Sequence, residues 1–139
     1  MARAKSKGEL VAHLKKRGIE DDVAAATVYR LQEAGLINDE EFARAWTQSR
    51  HRAKKLSKRI IAGELRQKGV SQELIDGALD EIDSEEEFKT ALLLAERKLS
   101  SLARFDQETQ LRRIQSLLGR KGFSFDVISR VARELAFIN

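Results

Sequence analysis

From Arg50 to Arg59 the chain reads Arg-His-Arg-Ala-Lys-Lys-Leu-Ser-Lys-Arg, six Lys and Arg side chains with no acid among them. Cations at that density bind polyanions. Each one that neutralises a phosphate releases a condensed counterion, and no base need be read. Arg50, Arg52, Lys54, Lys55, Lys58 and Arg59 are therefore the first candidates for a contact surface, and Arg66 and Lys68 follow on the next helix. Equivalent helices carry Lys15, Lys16 and Arg17, and Arg112, Arg113, Arg120 and Lys121. A solvated helix face, with cations drawn to helix C-termini by the macrodipole, accounts for Arg17, Lys68 and Lys121. It does not account for an acid-free run that crosses a helix end and the next helix start, where cations are unfavourable. There a functional basic surface is the better reading.

Other chemistry is scarce. Without cysteine there is no disulfide, thiolate nucleophile or cysteine zinc site. His13 and His51 are the only histidines, and a lone histidine on a charged helix is ordinarily a solvated side chain. Neither a glycine-rich phosphate loop nor a serine in a nucleophile elbow is present. Asp and Glu gather at expected helix starts, where capping explains them. The chain thus reads as non-enzymatic, with no cofactor and no metal. Trp46, in helical phase with Phe42 and Ser49, reads as a core anchor rather than a platform for a base. An aromatic content of 6% leaves too few rings for single-strand recognition by stacking. Phe123 and Phe125 flank Ser124; packing of that turn is the simpler reading, an exposed contact the second.

The elements that carry these groups repeat. A leucine, three residues rich in Lys and Arg, a glycine and an apolar residue occur as Leu14–Ile19, Leu65–Val70 and Leu118–Phe123, with glycines at 18, 69 and 122. Apolar residues match on both sides: Leu10, Ile61 and Ile114 before the glycine, then Val23, Leu74 and Val127, then Leu31, Ile82 and Leu135 after it. Spacings of four and about eight follow the helical period. Glycine at the break suits a helix C-terminus, so each unit reads as helix, turn, helix. Between them, Asn38-Asp39-Glu40-Glu41-Phe42 and Ser84-Glu85-Glu86-Glu87-Phe88 each begin a further amphipathic helix with a capping-box pattern. The spacing predicts helices over 39–54, 57–68 and 72–82, then 85–101, 107–120 and 126–136. The first copy, over 6–32, holds only two helices.

The expected fold is all-α: tandem three-helix-bundle repeats in an elongated, curved array, the first repeat incomplete. Its divisions fall at 1–35, 36–83 and 84–139. A chain with no proline, 42% hydrophobic and 35% charged residues fits this class and not a sheet protein or a disordered one. No segment approaches the roughly 18 apolar residues of a membrane span, and no signal core follows the basic start, so a reducing cytoplasm is the expected location; a monomer is expected besides. The excess of 26 basic over 22 acidic residues, net +4, is modest; distribution matters more. Sequence-specific DNA reading is disfavoured, because the second helices carry Glu73, Asp76, Asp80 and Glu81, or Glu20, Asp21 and Asp22, where a groove-reading helix meets phosphates.

Gly35-Leu36-Ile37-Asn38-Asp39-Glu40-Glu41-Phe42-Ala43-Arg44-Ala45, Ser49-Arg50-His51-Arg52, Arg59-Ile60, the run from Glu64 to Ile75, and Ala78-Leu79 resemble blocks of the RecX regulatory family, the modulators of the RecA recombinase. Leu118, Arg120, Lys121, Gly122, Phe123, Ser124 and Ile128 are similar to the family's closing stretch. Family members often place a glycine and a proline just before the second helix of this unit. Here Lys55-Leu56-Ser57 stands there, and Ser57 is expected to cap the helix. The resemblance implies a tandem three-helix protein that lodges in the groove of a RecA–DNA filament and restrains strand exchange and ATP hydrolysis in DNA repair and recombination. On that reading the cations from Arg50 to Arg59, with Arg66 and Lys68, contact the filament or its DNA, and Phe42, Trp46, Leu65, Gly69, Leu74 and Ile75 hold the unit together. Two alternatives stay open: a nonspecific binder of single- or double-stranded DNA acting without RecA, and a helical adaptor for an unrelated protein.

Overall fold

A computed structural model describes residues 5–138. Among them are eight helices and no strand: α1 (Lys7–Lys16), α2 (Asp21–Glu33), α3 (Asp39–Lys54), α4 (Lys58–Gln67), α5 (Gln72–Leu79), α6 (Ser84–Ser100), α7 (Gln107–Arg120) and α8 (Phe125–Ile138). The fold is an all-α helical repeat. The third helix of the middle repeat stops at Leu79, short of the expected Ile82. The chain forms two compact units: residues up to Gln48 with Ala62–Asp80, and Ser49–Ile61 with residues from Glu81 onward.

The repeated leucine-glycine motif is a helix C-terminal lock. The N–H of the apolar residue after the glycine returns to the carbonyl of the leucine five positions earlier, Ile19 to Leu14, Val70 to Leu65 and Phe123 to Leu118, each at 3.1 Å. This is the Schellman pattern, which demands a left-handed residue at the glycine. Leu31 to Leu36 repeats it without the cations, Leu36 N–H to Leu31 carbonyl at 2.8 Å, so α2 ends by the same device.

In the first unit Ala24, Val28, Phe42, Ala43, Leu65, Val70, Ile75 and Ala78 are buried. Ser6 and Glu9 form a capping box at the start of α1, and both also reach the end of α4. The Ser6 hydroxyl donates to the Lys68 carbonyl, and the Lys68 ammonium meets Glu9 Oε2 at 2.8 Å. Gly8 and Gly69 allow this approach. A Cβ on Gly8 would stand 2.6 Å from the Lys68 oxygen, and Gly69 has φ +79°.

The second unit is built on α6, α7 and α8 around Phe88, Ala91, Ala95, Leu102, Ile114, Leu118, Phe123, Val131 and Leu135. α6 is capped by Asp83, which takes the Glu86 N–H at 2.8 Å; the expected cap, Ser84, is already helical. Asp beats Ser here because a carboxylate accepts a charge-assisted bond at the positive helix end. Asp106 caps α7 through the Thr109 N–H at 2.8 Å.

Two carboxyls of this unit are held below the ordinary carboxylate range, Glu85 by its hydrogen bond to Arg130 and Asp106 by the Thr109 cap. The folded chain therefore binds fewer protons than the unfolded chain at acid pH. The stabilisation is complete above the unfolded values near pH 4 and disappears as pH falls through the folded ones. Thermal melts from pH 7 to 3 are expected to fall more steeply for the wild type than for an E85Q/D106N variant.

Candidate nucleic-acid interface

The six cations between Arg50 and Arg59 all lie in the second unit, on the last turns of α3, the connecting loop and the first turn of α4. Arg52, Lys54 and Arg59 are exposed; Arg50, Lys55 and Lys58 are half-buried. The loop beneath them is pinned on three sides. Ser57 donates its N–H to the Lys121 carbonyl at 3.0 Å, and its hydroxyl accepts the Ile60 N–H at 3.3 Å as the helix cap. The Lys58 N–H at the positive end of α4 donates to Glu87 Oε2 at 2.7 Å. His51 Nδ1 lies 3.0 Å from the Leu56 carbonyl, which can only accept, so this nitrogen carries the hydrogen. Nε2 lies 3.0 Å from the Thr90 hydroxyl, the second partner of the ring. His51, expected to be solvated, is a half-buried clamp instead, because α6 supplies its second partner.

Lys121 joins this group from a distance in sequence. Its ammonium donates to the Lys54 carbonyl at 3.1 Å, so a cation from the end of α7 stands at the end of α3. No local pattern connects positions 54 and 121; only the packing does. Arg66 and Lys68 belong to the first unit. Arg66 is exposed, with Nε donating to Gln72 Oε1 at 2.9 Å. Lys68 is engaged internally: besides the Glu9 pair, its ammonium lies 4.3 Å from the centre of the Trp46 ring. Trp46 stacks on Phe42 with ring centres 5.9 Å apart and donates from Nε1 to Glu64 at 3.1 Å. Phe42, Leu65 and Ile75 are buried; Trp46 and Leu74 are half-buried. Leu74 lines a groove of about 460 Å³ with Val11 and Ile37, where Ser71 caps α5 and Asp39 accepts the Lys7 N–H.

Lys55 has φ +56°, the left-handed region. A side chain there costs roughly 1 kcal/mol that glycine avoids. Lys55→Gly is expected to raise stability by about 1 kcal/mol in urea unfolding while removing one cation from the surface.

Two family descriptions match this chain: RecX, second three-helix domain, over residues 38–79, and RecX, third three-helix domain, over 85–132. The regulatory protein RecX of Streptomyces coelicolor is 42% identical over 130 residues, covering 94% of this chain and 69% of that protein. The chain belongs to the RecX family. The RecX of Amycolatopsis mediterranei, also named a regulatory protein, is 38% identical over 136 residues, 95% of this chain and 78% of that one. The crystal structure of RecX from Lactobacillus salivarius shares the fold, with a TM-score of 0.86 at 21% identity over 97% of this chain and 88% of that one. This RecX-family chain is thus a regulator by kinship. Among its described residues no helix is long and apolar enough to cross a membrane, and no cluster of acid, histidine or cysteine side chains is arranged for a metal ion.

Proposed function

We propose that this regulator binds the RecA–DNA nucleoprotein filament and modulates RecA's recombinase and ATPase activities in DNA repair and recombination. The observation that carries the reading is the pinned, acid-free row of cations from Arg50 to Arg59 on a RecX-family scaffold. A fixed loop loses little entropy on binding, and exposed cations on it offer a polyanionic filament counterion release without base readout. Counted along the chain, three tandem repeats, 1–35, 36–83 and 84–139, make up the scaffold, and the second carries this row of cations. The protein acts as a cytoplasmic monomer without cofactor, and DNA contacts are nonspecific.

RecA-catalysed ATP hydrolysis on single-stranded DNA, measured with added protein, tests the reading. A dose-dependent change is expected. No change at several-fold excess over filament sites overturns it, and retention of salt-sensitive binding to bare DNA in that case would favour a DNA-binding protein acting without RecA.

A further inference from the structure

Phe123 and Phe125 flank one turn and part company there: Phe123 is 4% exposed, within the core of the second unit, whereas Phe125 is 82% exposed at the first position of α8. Burying a phenylalanine stabilises by about 2 kcal/mol, so a ring left this open forgoes an available gain. Among the described residues the other open aromatic, Tyr29 at 61%, has only Ala25, Ala26, Gln32 and Glu33 as its helical neighbours at three and four positions. Phe125 has different company. Lys121 stands four residues before it and Arg120 five, and the same turn carries the Lys121 carbonyl that holds Ser57. Gly122 in this turn lies against Ile60 and Ser57, and the Lys121 ammonium sits at the Lys54 carbonyl. The turn that presents the ring is thereby joined to the loop that presents Lys54, Lys55 and Arg59. One acid, Asp126, accompanies them on the first turn of α8.

We infer that Phe125 is a stacking contact for one unpaired base of a single-stranded nucleic acid whose phosphates lie along Lys121, Lys54 and Arg59. The inference rests on reading the basic loop as a polyanion contact, and adds the class of strand it prefers. One ring cannot build an extended platform. It can anchor a single base while cations hold the backbone, and every base has a face to stack, so the contact carries no sequence preference. A duplex keeps its bases stacked inside and offers the ring nothing comparable. A protein partner would also cover an exposed phenylalanine, but the cations of the turn and of the loop joined to it favour a phosphate chain.

The experiment compares binding of a fluorescent oligo-dT and of a duplex of equal length at low salt, for wild type, F125A and F125W. F125A is expected to weaken oligo-dT binding about 10-fold, with duplex binding changed less than 2-fold and the salt slope unaltered. F125W is expected to restore the affinity, and its added indole emission to be quenched by oligo-dT. Equal effects of F125A on both DNAs, or no effect on either, overturn the inference. So does F125A weakening binding to RecA filaments while leaving oligo-dT untouched, which would place the ring on protein. A wild type that changes RecA ATPase but ignores oligo-dT overturns this inference and leaves the filament reading standing. Phe125-dependent oligo-dT binding with no effect on RecA does the reverse.

Discussion

Replacing Gly122 by alanine is expected to destabilise the second unit by about 2–5 kcal/mol, combining the left-handed strain and the overpacking terms. Gly122 has φ +90°, where a side chain costs roughly 1–2 kcal/mol. A Cβ there would also stand 2.2 Å from Ile60 Cγ1 and 2.5 Å from Ser57 Oγ, so the α3–α4 loop must move or the turn must open. Gly18 is the internal control: φ +87° in the same motif, with nothing within 4 Å of its virtual Cβ. G18A should cost only the strain, roughly 1–2 kcal/mol. Urea unfolding of both variants checks this, and equal costs would show that the contact with Ile60 and Ser57 contributes nothing. Because the displaced loop holds Lys54 to Arg59, G122A is also expected to weaken DNA binding without touching a charge.

Neutralising Arg52, Lys54, Lys55 and Arg59 together to glutamine is the second large effect. If all four meet phosphates, the slope of log affinity against log salt on duplex DNA should flatten by about 3.6, at roughly 0.9 per contact. The concentration needed to alter RecA ATPase should rise at least tenfold at low salt. Stability should hold to within about 0.5 kcal/mol per exposed site, since three of the four are solvent-facing. Lys68→Gln separates charge from position. It removes the Glu9 pair and the cation over Trp46, so it should lower stability by about 1 kcal/mol and leave the salt slope unchanged. A slope insensitive to the quadruple change would remove this loop from the binding surface.

The helices and their turns were legible because their signals are local. Leucine, glycine and the next apolar residue are the parts of one C-terminal lock, and Asp39 and Gln107 begin helices where patterning puts them. Locality also explains the slips: the pattern puts the cap on Ser84 rather than Asp83, and at Leu31–Leu36 it marks only the ending glycine, Gly35, not the full lock, because the middle residues are not basic. For the candidate surface, the charges were visible but not their supports. His51 depends on Thr90, Lys58 on Glu87, and Lys54 on Lys121, pairs separated by 39, 29 and 67 positions. Such pairings are products of packing, and one sequence carries no local mark of them. The opposite fates of Phe123 and Phe125 were likewise hidden in a turn two residues wide.

The segment Ser49–Ile61 belongs to one compact body while its covalent neighbours on both sides belong to the other. A scissile bond placed between Asp80 and Glu81 would therefore not release two self-sufficient halves. The C-terminal fragment would lose the strip that fills the space over Gly122 and meets Glu87, Thr90 and the Lys121 carbonyl. Removal of the C-terminal repeat would likewise strip Ser49–Ile61 of those partners and leave it uncovered on what remains.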